Sequence, residues 1–189
     1  MTQSTEPSGS ICKIRRSFLK CSAALAASSI FPQLIHANKG ISSERTLEFI
    51  NLHTDETLRS SYWANGEYDS NSLSEINHIL RDHRANEVYE MDANLIDLLH
   101  LLHKTTDSKA PYHIISAYRS PQTNEKLRHQ STGVAKRSLH MQGKAIDIRL
   151  PDVELNRLRN AAVSLQAGGV GYYAKSNFIH VDIGRPRSW

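Results

Sequence analysis

Two stretches decide how this chain is read: Ser138-Leu139-His140-Met141-Gln142-Gly143-Lys144-Ala145-Ile146-Asp147 and Asn177-Phe178-Ile179-His180-Val181-Asp182. The segment Lys144–Leu150 has the composition of a strand, and side chains alternate faces along a strand. Ile146, Ile148 and Leu150 form an apolar set for the core, which turns Ala145, Asp147 and Arg149 the other way. In Asn177–Ile183 the apolar set is Ile179, Val181 and Ile183, and Phe178, His180 and Asp182 share the opposite face. If the two strands pair, Asp147 and His180 lie side by side on an outward face. His140 then enters from the loop edge, with Gly143 letting the chain bend back. Two imidazoles and a carboxylate are a donor set suited to a catalytic zinc, which takes three protein ligands and keeps one position open. On the residues alone, a surface or hydrogen-bonded histidine is the commoner reading of His180, since the chain has ten histidines.

Outward from these strands the pattern alternates. Leu47–His53 reads as a first strand, and Tyr62–Asn71, with Asn65, Gly66, Asp69 and Ser70, as a turn or loop. Leu73, Ile76 and Leu80 recur at helical spacing and predict a helix over 72–84. Asp92 is placed to cap a second helix with Leu95, Leu98, Leu99 and Leu102 on its apolar face. His113–Tyr118 reads as a strand, and Ser120-Pro121 as a helix start, the helix running to about Arg128. A polar loop follows over 129–139. Asp152 is placed to cap a further helix carrying Leu155, Leu158, Ala162 and Leu165, which Gly168 ends. Gly168-Gly169-Val170-Gly171 reads as a turn or tight loop. The expected class is α+β, a small antiparallel sheet with flanking helices.

The 189 residues suit one domain, and 39% hydrophobic with 22% charged residues is ordinary for a globular protein. The net charge of +4 is uneven. Residues 1–37 hold Lys13, Arg15, Arg16 and Lys20 against Glu6, a net of +3, which leaves +1 on the remainder. That near-neutral body removes the electrostatic case for nucleic-acid binding. Both cysteines, Cys12 and Cys21, lie in the same N-terminal segment, so the body has no Cys nucleophile, Cys-based metal site or disulfide framework. Arg15-Arg16-Ser17-Phe18-Leu19-Lys20, an Ala/Ser-rich apolar run, Pro32 and Ala37 form a charged, then apolar, then small-residue order. This is an export signal that resembles the twin-arginine type, with cleavage near Ala37 and the Tat translocon as transient partner. The apolar run is too short to span a bilayer. The expected organisation is a signal over 1–37 and one domain over 38–189.

The pattern Ser138-x-His140-x-x-Gly143-x-Ala145-x-Asp147 with the distal Phe178-x-His180-x-Asp182 resembles the zinc D-Ala-D-Ala peptidase family. Ser116-Ala117-Tyr118-Arg119-Ser120 resembles that family's Ser-x-Tyr-Arg-Ser element. Within the family the chain looks most like the MepK-like murein L,D-endopeptidases. Asn51-Leu-His-Thr, Arg81-Asp-His-Arg-Ala-Asn, Gly133-Val-Ala-Lys and Ala167-Gly-Gly-Val-Gly-Tyr-Tyr carry that likeness across the body. The resemblance implies the fold shared with hedgehog signalling domains and lysostaphin-type peptidases. It also implies zinc as cofactor, with His140, Asp147 and His180 as its ligands. The implied partner is the peptide stem of peptidoglycan, cut in the periplasm at cross-links between two diaminopimelate residues.

The resemblance leaves the general base open. Some relatives carry Glu three residues before the last histidine, or His two before it; here those positions are Asn177 and Phe178. Asp182 is the candidate, with an alternative role as the acceptor that orients a ligand histidine. His113 is a weaker candidate. Arg119 matches the arginine that binds substrate or stabilises the oxyanion in relatives, a task suited to a fixed guanidinium. Ser138 and Tyr172 are candidates for substrate binding, with Tyr173 beside them. His53, His83, His100 and His103 have no comparable support. The alternatives are a D,D- or L,D-carboxypeptidase on the same scaffold, and a peptidoglycan-binding module without turnover.

Overall fold

A computed structural model describes residues 44–131 and 133–189. The export signal expected over 1–37 lies outside the described residues. The domain is α+β, as expected, but its sheet is neither small nor wholly antiparallel. The strands are β1 (Arg45–Asn51), β2 (Thr57–Ala64), β3 (Glu67–Tyr68), β4 (Tyr112–Ser116), β5 (Ala145–Arg149), β6 (Gly169–Tyr173), β7 (Phe178–Asp182) and β8 (Arg187–Ser188). They form one eight-stranded sheet in the order β3-β2-β1-β4-β5-β7-β6-β8. The β1–β4 and β6–β8 pairs are parallel and the rest antiparallel.

Helices α1 (Ser70–Ile79), α2 (Ala93–Thr106), α3 (Pro121–Gln130) and α4 (Leu155–Ser164) connect these strands. Side chains cap three of them. Asp69 accepts from Ser72 N, Asp92 from Asn94 N, and Ser120 Oγ from Thr123 N, each filling an orphan donor of the first turn. Asp152 does not cap α4. It accepts from Ser108 Oγ at 2.6 Å and Lys109 N at 2.8 Å, tying down the turn before β4, while Glu154 holds the N-cap position without a side-chain bond.

Other differences from the sequence reading have local causes. The region read as a loop over Tyr62–Asn71 is the end of β2, a tight Asn65-Gly66 turn with both φ angles positive, and β3. Such a turn suits the twist of a hairpin, and it occupies two residues rather than ten. Helix α1 stops at Ile79, because the chain from Asp82 to Glu87 closes its own bridge. Gly168 does not end α4; Gln166, with φ 51°, makes that exit, and the glycine-rich run that follows is strand β6.

The main core lies where α1 packs on β2, α2 on β1 and α4, and α4 on β6 and β7. Phe49, Tyr62, Tyr112, Ile114, Ile146, Ile148, Ile179 and Val181 meet Leu95, Leu99, Leu102 and Leu158 there. The opposite face of β5 and β7 is covered as well: Ala145, Asp147, His180 and Asp182 are all buried. The outward face expected for Asp147 and His180 is therefore a floor beneath other segments.

Candidate metal centre

The β5–β7 register sets Asp147 directly opposite His180, as strand parity requires. His180 Nδ1 lies 2.9 Å from Asp147 Oδ1. His140 sits on a short 3-10 helix, Leu139–Gln142, whose cap Ser138 accepts from the His140 N–H. Gly143 closes this helix at φ 65°, and a Cβ there would collide with the Glu90 carbonyl, so the bend requires glycine. His140 Nε2 then stands 3.2 Å from His180 Nδ1 and 3.4 Å from Asp147 Oδ1.

The outer bonds of both rings fix which nitrogens face inward. His140 Nδ1 is 2.7 Å from the Ala117 carbonyl, which can only accept, so Nδ1 carries the hydrogen and Nε2 offers its lone pair. His180 Nε2 donates to Asp182 Oδ2 at 3.0 Å, which leaves Nδ1 facing the centre. Three electron-pair donors thus converge with edges of 2.9, 3.2 and 3.4 Å. Ligands about 2.0–2.1 Å from a tetrahedral zinc stand about 3.3 Å apart, so these residues fit such an ion. Among the described residues no other trio of His, Cys, Asp or Glu side chains converges in this way.

The charges are consistent with a cation site. Burial opposes the ionised form of Asp147, but the two histidines outweigh it and hold the carboxyl well below the usual range. Burial would lower the His180 pKa; hydrogen bonds and charge from Asp147 and Asp182 outweigh that and raise it to about 9. Asp182 is fully buried and its carboxylate is saturated. Gly169 N, Gly184 N and Arg187 Nη1 donate to Oδ1, and Arg187 Nη2 and His180 Nε2 to Oδ2. It lies on the far side of the imidazole from the converging atoms. A carboxylate so placed is suited to orienting its histidine, the alternative role expected for Asp182, which also lines the cleft.

The centre opens into a cleft of about 290 Å³. Arg119 lines it, nearly buried, 3.7 Å from Asp147 Oδ2. Its Nη atoms make only long contacts, 3.4 Å to Asn124 and to Ser116, and its Nε has no partner. Burial disfavours its charge and Asp147 partly restores it. Ser138 lines the cleft beside His140, and Arg137 stands exposed on the rim. Tyr172 does not reach the cleft: it pairs with Ile179 on the core side, below Arg159. Tyr173 lines it instead, its ring stacked on Phe178 at 4.6 Å. Alternation along β6 would have found Tyr173 had the glycine run been read as strand. Trp189 and Arg187 also line the cleft, and the sequence reading passed over both.

Asn177 explains itself locally. It adopts φ 53° at the end of a short 3-10 turn, a left-handed conformation that asparagine tolerates well. Among the described residues, the remaining histidines lie apart from the centre. His53 and His83 stack at 4.0 Å, and His83 is lowered to about 4, chiefly by burial. His113 faces Arg149, and His103 bonds the Ala110 carbonyl.

The model of a protein family described as peptidoglycan L,D-endopeptidase MepK, an M15 peptidase family, matches residues 39–189. The chain is 38% identical over 175 residues to peptidoglycan L,D-endopeptidase MepK of Escherichia coli K12, covering 93% of this chain and 96% of that protein. It is also 38% identical over 176 residues to the probable peptidoglycan L,D-endopeptidase MepK of Haemophilus influenzae, covering 93% and 95%. No solved structure matches the chain. The match over the whole described domain, together with the His140–Asp147–His180 centre that it encloses, places this chain in the MepK family of M15 peptidases.

Proposed function

We propose that this chain is a zinc-dependent murein endopeptidase that hydrolyses peptide cross-links of peptidoglycan, of the L,D type, between diaminopimelate residues. The observation that carries the reading is the convergence of three lone-pair donors at the floor of an open cleft, beside a guanidinium with unused donors. Zinc supplies a Lewis acid that polarises a carbonyl and makes water acidic near neutral pH.

The chain's own residues do the remaining work. Ala117 and Asp182 hold the two imidazoles in fixed tautomers, so the site is formed before substrate arrives. Arg119 lines the cleft with loosely held Nη donors, suited to the carbonyl oxygen on which negative charge develops. Ser138 and the exposed Arg137 offer a donor and a cation to the polar, carboxylate-bearing stem peptide, and Tyr173 and Phe178 form the apolar wall opposite. Among the described residues lining the cleft, no carboxylate or imidazole stands outside the metal trio and its Asp182 support. Residues 1–37 serve as a twin-arginine export signal to the periplasm in this reading. Among the described residues no helix is long and apolar enough to cross a membrane.

The deciding experiment is mass spectrometry of defined cross-linked muropeptides after incubation with the zinc-loaded protein. Conversion of dimers to monomers, absent in His180→Ala, is the expected result. Loss of a terminal residue with cross-links intact makes the protein a carboxypeptidase. Binding to sacculi without products, unchanged in His180→Ala, makes it a binding module.

A further inference from the structure

The C-terminal residues wrap the outside of the metal centre. Arg187 grips Asp182 with two prongs, Nη1 to Oδ1 at 3.0 Å and Nη2 to Oδ2 at 2.6 Å. Asp182 in turn holds His180 Nε2 at 3.0 Å. Trp189 packs on the same imidazole from the side, ring centroids 5.4 Å apart. The indole is itself fixed: its Nε1 donates to Tyr173 OH at 3.1 Å and Arg187 lies 4.9 Å above its ring. Main-chain bonds from Tyr172 N to Trp189 O and from Trp189 N to Val170 O join the end of the chain to β6.

The glycines of Gly168-Gly169-Val170-Gly171 make room for this arrangement. A Cβ at Gly168 would strike the Asp182 carbonyl, and one at Gly169 would strike the Arg187 guanidinium. At Gly171 a Cβ would come within 2.8 Å of the Trp189 ring. The run that reads as a turn in sequence is thus a strand stripped of side chains where Asp182, Arg187 and Trp189 approach. Two partners of one ligand, Asp182 and Trp189, and the Arg187 that contacts both are accommodated by one motif, and hydrolysis as proposed does not by itself require that.

We propose that the C-terminal strand is part of the metal centre: Arg187, acting through Asp182, and Trp189, packed on the His180 ring, are positioning residues that set how His180 presents Nδ1. The chain of contacts runs from Arg187 to Asp182 to His180. Without the two-pronged grip the Asp182 carboxylate keeps Gly169 N and Gly184 N on Oδ1 but loses the Arg187 donor on Oδ2, the oxygen that holds His180, and the ring that it orients is held less firmly. The inference depends on the metal reading of the trio and not on which bond the protein cuts.

The test is a double-mutant cycle on zinc affinity, measured on the untagged full chain by competition with a chromogenic chelator, with the visible spectrum of the cobalt form as a reporter of ligand geometry. Outer partners of metal ligands are typically worth about 10–100-fold in metal affinity. Arg187→Met is therefore expected to weaken zinc binding about tenfold and to alter the cobalt spectrum, and Asp182→Asn to weaken it by at least as much. Because Arg187 acts through Asp182, the double variant binds no more weakly than Asp182→Asn alone. Trp189→Ala, at an exposed position, changes the cobalt spectrum while the domain stays folded. Zinc affinity in Arg187→Met within about twofold of the parent, or strictly additive losses in the cycle, overturns the proposal. If Arg187→Met does not fold, Arg187→Lys carries the same cycle, since it keeps a cation and loses the fork; additivity there is equally decisive. A failed muropeptide assay with a non-additive zinc cycle would sink the proposed reaction and leave this inference standing.

Discussion

Asp147 and His180 are direct partners across the β5–β7 pair, and their side chains meet at 2.9 Å on the face of the sheet turned from the main core. Two β-sheet hydrogen-bonded neighbours on buried strands cannot drift apart without opening the sheet. The metal reading of the trio is therefore a statement about a rigid site, and each part of it can be removed separately.

His140→Ala and Asp147→Ala should each bring bound zinc to background while far-UV circular dichroism stays close to the parent. The core beneath is apolar and does not depend on the metal. Stoichiometric zinc by elemental analysis of either untagged variant would refute the ligand set.

Asp182→Asn separates a proton acceptor from an orienting residue. A general base contributes about 10²–10⁴-fold to rate. With zinc at saturation the variant should retain kcat within about tenfold, since its defect lies in holding the metal. A loss of about a thousandfold at saturating zinc would make Asp182 the base.

The pH response of the zinc-stripped protein follows from His180. Its folded pKa, about 9, lies above the ordinary 6.5, so the stabilisation from its proton is complete below 6.5 and disappears as pH rises through about 9. Asp147 and Asp182, held below the ordinary carboxylate range, act oppositely and lose their contribution as pH falls below about 3.8. Zinc must displace the Nδ1 proton, so its affinity should climb between pH 6.5 and 9. Melting curves with EDTA should fall across that window, and zinc-loaded protein should not show the fall. A flat EDTA profile would contradict the assignment.

Gly143→Ala places a Cβ against the Glu90 carbonyl at a backbone angle of φ 65°. Strain of this kind costs about 1–3 kcal/mol. Urea unfolding should register at least that loss, together with weaker zinc binding, because Gly143 ends the helix that carries His140. A neutral result would contradict the requirement for glycine at this bend.

Much of the centre was legible in sequence because strand parity is a strict rule. Once Ile146, Ile148, Ile179 and Val181 were assigned to the core, Asp147 and His180 had to share the other face. The caps at Asp92 and Ser120 were legible because capping depends on local chemistry. The sheet's size was not. Strand β6 opens on Gly169-Val170-Gly171, whose glycines answer to the tertiary approach of Arg187 and Trp189, and that approach has no local signature. For the same reason Tyr172 looked as well placed as Tyr173, and Asp152 passed for a helix cap although its partners, Ser108 and Lys109, are some forty residues away in sequence. His140 is intermediate: its 3-10 helix is local, but its orientation comes from the Ala117 carbonyl on the far side of α3 in sequence.

The partnerless Nε of Arg119 has an energetic consequence. A buried donor without an acceptor costs a folded protein about 1–3 kcal/mol. That cost falls on the group that must stay in place at the metal centre, where Arg119 lies 3.7 Å from Asp147 and its Nη atoms reach Asn124 and Ser116 only at 3.4 Å. The fold thus gives up stability to keep a guanidinium beneath the cleft instead of filling the same space with apolar side chains.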